Sequence, residues 1–208
     1  MSDETVTRFE TVSDLPPSLD AAASRMVQYA GTSVKLEADE ETNQDKRRFD
    51  WVSFKNCLDT YGGIDITFVS YKEFTISRSE IDLSTMVQRI VESFIGNFQI
   101  FNHENVTTLL HNTIEKTFTN LEEESSNEFV DFSKSPGGQG SFWEYRVHIA
   151  VPNPSSPNSF HSLITTIKLE ADVSEMSDWW GLTGSSTKNF SATLNGMKVE
   201  VEEGFKNE

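Results

Sequence analysis

The stretch Trp143-Glu144-Tyr145-Arg146-Val147-His148-Ile149-Ala150-Val151 decides how the chain is read. Trp143, Tyr145, Val147, Ile149 and Val151 are apolar; the intervening Glu144, Arg146 and His148 are polar. A period of two places one set on a core and the other in water or under a second layer. Leu163, Ile167, Leu169, Ala171 and Val173 repeat the device, alternating with Thr166, Lys168, Glu170 and Asp172. Between them Pro152, Pro154 and Pro157, set among Asn and Ser, read as a loop. Two long neighbouring antiparallel strands follow, and the next question is what covers them.

The cleanest helical signal runs from Leu83 to Phe98. Leu83, Met86, Val87, Ile90, Val91, Phe94, Ile95 and Phe98 follow an i, i+3, i+4, i+7 pattern, with Asp82 as the expected cap. A second stripe of Val106, Leu109, Leu110, Ile114, Phe118 and Leu121 follows a short loop. Such a pair reads as an αα-hairpin lying on the sheet, and its alternative use is to leave the sheet for lipid.

Earlier in the chain, Leu19, Ala22, Ala23, Met26, Val27 and Ala30 define a helix over 19–30, with Ser18 as cap and Gly31 as stop. Trp51, Phe54, Leu58 and Tyr61 define another over 51–61, capped by Asp50. The charged segment between them, Val34 to Arg48, reads as a solvated loop; its Lys46-Arg47-Arg48 triplet also suits a protease. Arg8 to Val12 suits a short edge strand. Over 64–78, Ile64, Ile66, Phe68, Phe74 and Ile76 share a parity, yet Val69 and Tyr71 are apolar as well. Either layers cover both faces there, or a bulge sits near Ser70.

Phe129 and Phe132 mark a short strand. Trp179 and Trp180 stand in a polar setting, as sheet-covering aromatics or as an interfacial anchor. Phe190, Ala192 and Leu194 alternate. After Asn195-Gly196 the parity switches to Met197, Val199 and Val201, which suggests a hairpin or a bulge. The expected division is a flexible 1–7, a single domain over 8–202, and a charged, expendable tail over 203–208.

Composition narrows the function. With 33 acidic against 17 basic residues the net charge is -16, which argues against a nucleic-acid groove and against simple attraction to an anionic membrane. The one cysteine, Cys57, excludes an intrachain disulfide and reads as a small buried hydrophobe on a helix. The first residues lack the apolar run of a signal peptide, and no stretch is long and apolar enough to span a bilayer as a helix. A chain made soluble, without a classical signal peptide, is expected. His103, His111, His148 and His161 show no metal spacing, and no Gly-x-Ser-x-Gly elbow is present. Neither an enzyme, nor a cofactor, nor a metal is expected.

Local strings and element order resemble the Cyt-type δ-endotoxins, the cytolytic family that includes volvatoxin. Thr117-Phe118-Thr119-Asn120-Leu121 is similar to a Thr-Phe-Thr-Asn-Leu string of the family, and the acidic, aromatic Glu128-Phe129-Val130-Asp131-Phe132 follows it as a strand does there. Tyr145 to Asn153 resembles the family's Tyr-x-x-x-Phe-x-Ile-Gln-Asn strand. The resemblance spans residues 8–202. It implies an α/β (α+β) three-layer sandwich, a central antiparallel sheet wrapped by two helical hairpins. It also implies a pore-forming cytolysin, released or secreted, that meets a target-cell membrane of zwitterionic lipid, frees its hairpins and self-oligomerises. The membrane-facing residues would be Val87, Ile90, Val91, Phe94, Ile95, Leu109, Leu110, Ile114, Phe118, Trp179 and Trp180, and low pH should help by reducing repulsion between acidic monomers. The alternative on the same scaffold is a non-lytic protein holding a fatty acid or other apolar ligand, lined by Trp51, Trp179 and Trp180. The long charged connection, the polar Ser70 and Lys72, and the lack of a counterpart to the family's C-terminal propeptide are departures from the pattern.

Overall fold

The computed structural model describes residues 8–39, 44–100 and 103–206. The N-terminal 1–7 segment expected to be flexible lies outside them. The strands are β1 (Glu10–Ser13), β2 (Val34–Asp39), β3 (Gln44–Phe49), β4 (Ile66–Asp82), β5 (Val130–Lys134), β6 (Ser141–Pro152), β7 (Ser159–Ala171) and β8 (Thr187–Glu202). The helices are α1 (Pro17–Gly31), α2 (Trp51–Thr60), α3 (Leu83–Phe98), α4 (Glu104–Thr119) and the one-turn α5 (Leu121–Glu124).

The main sheet runs β1-β6-β7-β8-β4, with β5 sharing the β6 edge that β1 occupies further along. β6 and β7 pair antiparallel, Trp143 opposite Leu169 and Ile149 opposite Leu163, as their alternation requires. β1 is parallel to β6, so the sheet is mixed and not purely antiparallel. Each face has its own core. Trp143, Tyr145, Val147, Ile149, Ile167 and Leu169 meet the stripes of α3 and α4 on one face. Phe160, Ile164, Met197, Val199 and Val201 meet α1 and Phe54 of α2 on the other.

This two-sided covering explains the parity switch in β8. The strand pairs with β7 in one unbroken register from Phe190 to Glu202, so neither a hairpin nor a bulge occurs at Asn195-Gly196. Phe190, Ala192 and Leu194 face the α3–α4 side, whereas Met197, Val199 and Val201 face the α1–α2 side. Gly196 serves close approach: an added Cβ would stand 2.5 Å from Cζ of Phe98, whose ring crosses the strand there.

β4 is the free edge. It carries register shifts between Phe68 and Ser70 and between Arg78 and Ile81, so the bulge reading holds and the two-layer reading does not. Most of its side chains are exposed. Other expectations shift as well. Pro16 caps α1 with Pro17 in the first turn, and no side chain, Ser18 included, closes that end. Asp50 and Asp82 do cap α2 and α3, accepting from the Ser53 and Thr85 amides at 2.9 and 2.8 Å. The charged connection is no loop: β2 and β3 form a two-stranded ribbon.

The C-terminal tail also holds more than charge. Phe205 is fully buried beside Tyr29 and Tyr61, and its carbonyl accepts from Arg25 at 2.8 Å. It pins α1 and α2 to the end of β8. Phe205→Ala should therefore cost about 3 kcal/mol or more in urea unfolding. A loss under 1 kcal/mol would show that the tail is dispensable.

Candidate functional site

The two helical arms are held to the sheet by different physics. On α3, Leu83, Met86, Val87, Ile90, Val91, Phe94 and Phe98 are buried, each contributing roughly 1.5–3 kcal/mol of burial. On α4, Val106, Leu110, Ile114, Thr117 and Phe118 are buried. Polar ties from this arm to the sheet side are few: one is buried, the Thr117 hydroxyl donating to the Tyr145 hydroxyl at 3.3 Å, and the others are peripheral. Lys72 and Lys198 donate to the carbonyls of Asn97 and Phe98 at 2.7 and 2.9 Å, and the Leu83 and Ser84 amides donate to Ser186 and Gly184. Two residues other than glycine in or next to the arm have left-handed backbone. Glu80, next to the second bulge of β4, has a φ of 51°, and Gln99 ends α3 with a φ of 54°. Left-handed backbone at a residue other than glycine costs roughly 1–2 kcal/mol.

The opposite face is bolted by ions. Arg146 is fully buried; its guanidinium donates to Asp131 at 2.6 Å and to Glu144 at 2.7 Å, and to the carbonyls of Arg8, Arg47 and Glu128. Asp131 also accepts from the Arg47 amide and side chain, and Glu144 from the Phe49 amide. Arg48 donates to Ser133 and lies over the Phe142 ring. Two arginines of the supposed protease triplet are thus committed to the fold, and they fasten the ribbon to β5 and β6. Trp51 adds a bond from its indole N–H to Thr166 at 3.1 Å.

Two buried titratable groups sit near these arms. His148 lies under the α1 side, its Nε2 2.7 Å from the Ser162 hydroxyl and its Nδ1 without a partner. Burial pushes its pKa down to about 3, so the ring is neutral in the fold. Glu10 accepts from the Tyr145 hydroxyl, and burial raises its pKa despite that bond.

The residues assigned to the membrane from sequence are mostly inside in this state. Val87, Ile90, Val91, Phe94, Leu110, Ile114, Phe118 and Trp179 are buried, while Ile95 and Trp180 are partly buried against the same core. Leu109 is about half exposed. Trp179 donates to Ser141 at 2.8 Å, which makes it a core residue of the closed form. Trp51 belongs to the opposite core from Trp179 and Trp180, so the three cannot line one ligand cavity. Among the described residues, no three His, Cys, Asp or Glu side chains are grouped to hold a metal ion. No described helix is long and apolar enough to cross a membrane.

Sequence reasoning missed one surface. Among the described residues the exposed large apolar side chains are Leu36, Val52, Ile64, Phe68, Val69, Tyr71 and Leu109. Five of these seven lie on α2, on β4 or on the turn joining them. The bulge collects them. Ile66 and Phe68 oppose Val201 and Val199, and after the extra residue Val69 it is Tyr71 that opposes Met197. All three partners belong to the α1–α2 core. Without the bulge, Phe68 and Tyr71 would point to opposite faces.

The sequence pattern of the Bacillus thuringiensis toxin family matches residues 33–191. The chain belongs to that family. Within it, the fold is that of the Cyt-type δ-endotoxins. A solved structure described as a delta-endotoxin is 14% identical with a TM-score of 0.77, covering 97% of this chain and 84% of its own. The activated Cyt2Ba monomer from Bacillus thuringiensis subsp. israelensis is 16% identical with a TM-score of 0.73, covering 94% and 98%. No curated protein matches in sequence. Membership makes the chain a toxin of that family.

The Cyt-type toxin should be acid-sensitive through His148. A histidine neutral in the fold stays uncharged while the unfolded chain takes up a proton below about pH 6.5. Stability is therefore lost as pH falls from 6.5 toward the folded value of about 3. Glu10, raised by burial, works in the opposite sense. Urea unfolding of His148→Gln should recover about 2 kcal/mol of the wild type's loss between pH 7 and pH 5; equal losses in the two proteins would refute this. Arg146→Met takes the buried Asp131 and the partly buried Glu144 from their shared cation and should cost roughly 3–5 kcal/mol at pH 7. A loss below 1 kcal/mol would mean that the bolt carries little.

Proposed function

We propose that the chain is a pore-forming cytolysin that converts from the closed form described above by releasing α3 and α4 onto zwitterionic lipid and then oligomerising. The observation that supports this most is the character of the α3–α4 contact. Its buried surface is almost wholly apolar, and a hydrocarbon interior replaces such a contact at little cost, about 25 cal/mol per Å² either way. The ion-bolted α1–ribbon–α2 arm has no such substitute, because a bilayer offers nothing to Asp131, Glu144 and Arg146.

Release uncovers Trp143, Tyr145, Val147, Ile149, Leu163, Ile167 and Leu169 on strands of 12 and 13 residues, long enough to span a hydrocarbon core when tilted. Strand backbones in lipid must be paired, which requires neighbouring copies. The outer edge of β4 is unpaired and 17 residues long, and it offers the place for one.

Dye release from phosphatidylcholine vesicles tests the proposal. Leakage that rises steeply with protein concentration, with cross-linkable oligomers in the vesicle pellet, is the expected result. No leakage at any pH, nor after trimming with trypsin, would overturn it.

A further inference from the structure

The α3–α4 stripe is buried until the arm opens, so a different surface must meet the bilayer first. We propose that the corner between α2 and β4 is that surface, and that its pocket takes the headgroup-proximal segment of a phosphatidylcholine acyl chain while Lys55 and Asp59 meet the headgroup. The proposal rests on the membrane-active reading and names the step that precedes release.

Leu58, Tyr61, Ile66, Phe68 and Met197 wall a pocket of about 240 Å³, with Lys55 and Asp59 at its rim. That volume falls below the roughly 300–1,000 Å³ of sites that enclose a whole small molecule, so it suits part of one. Its surroundings are greasy. Val52, Ile64 and Phe68 are 72%, 95% and 57% exposed, and the tilted rings of Tyr71 and Trp51 lie 5.4 Å apart. An exposed apolar cluster of this kind, rimmed by polar groups, is the mark of an interaction surface.

Charge selects the occupant. Lys55 and Asp59 stand four residues apart on α2, the usual spacing for an ion pair, yet form none with each other or with another described residue. One free cation beside one free anion complements a headgroup that carries a phosphate and a quaternary ammonium. An anionic surface would be opposed by the chain's net charge of -16. The nearby bulge turns Phe68 and Tyr71 to the same side as the pocket, which a regular strand would not do.

Sedimentation with phosphatidylcholine vesicles tests this, using exposed positions whose substitution spares the core. Val52→Asp and Phe68→Asp should each lower vesicle partitioning about tenfold or more. Leu36→Asp on the ribbon should change it less than twofold. Lys55→Glu should weaken partitioning into phosphatidylcholine by severalfold. Retained binding of Phe68→Asp, or an equal loss in Leu36→Asp, would overturn the assignment. If Phe68→Asp instead converts a dimer to a monomer in solution with vesicle binding intact, the corner is a contact between copies and the proposal fails. Saturable uptake of monomeric lysophosphatidylcholine with no vesicle binding would make it a soluble-ligand pocket and overturn it too. Wild-type protein that binds no vesicle at all would sink the membrane reading itself, a result separable from each of these.

Discussion

β8 must satisfy two cores at once. Its first half turns Phe190, Ala192 and Leu194 to one helical arm, and its second half turns Met197, Val199 and Val201 to the other. One straight strand can do this only if the two arms cover opposite faces at different ends. Gly196, at the crossover, leaves room for the ring of Phe98. The arrangement ties both arms to a common strand while keeping their contacts separate, so one arm can move without unmaking the other's core.

The arms differ in what holds them. α3 and α4 offer hydrocarbon to hydrocarbon, a contact with no direction and no strict geometry. The ribbon between α1 and α2 is fixed by a buried arginine whose partners must stand at hydrogen-bond distance. Breaking the second leaves charges stranded in a low-dielectric interior; breaking the first in front of a lipid surface frees a few neutral or peripheral hydrogen bonds and no buried ion pair. A fold of this kind is therefore biased to open on one side. The left-handed Glu80, at the second bulge of β4 just ahead of α3, puts backbone strain on that side.

Much of this was legible in the residues. The alternation of β6 and β7 and the stripes of α3 and α4 record which faces are buried and which elements pair, though β7 begins earlier and ends sooner than its alternation suggests. The ribbon was not legible: Val34 to Asp39 and Gln44 to Phe49 are rich in charge, and their pairing is stabilised by contacts to Asp131 and Glu144 far along the chain. Asn195-Gly196 carried the local signature of a turn, but the reason for its glycine lies on α3, a hundred residues away. Phe205 was lost among charges for the same reason. The α2–β4 corner escaped because sequence patterns reveal what is periodic, and this patch exists only where a bulge breaks the period. The stripes of α3 and α4, which read as a hairpin lying on the sheet, form the core of that face.

The central claim is that the apolar arm opens and the ion-bolted arm stays. Hydrogen exchange followed by mass spectrometry, with and without phosphatidylcholine vesicles, reads both arms in one experiment. Amides of α3 and α4 should lose protection on vesicle contact, while those of α1 and the β2–β3 ribbon keep theirs. Opening of the α1–ribbon side first, or full protection of α3 and α4 while vesicles leak, would contradict the account.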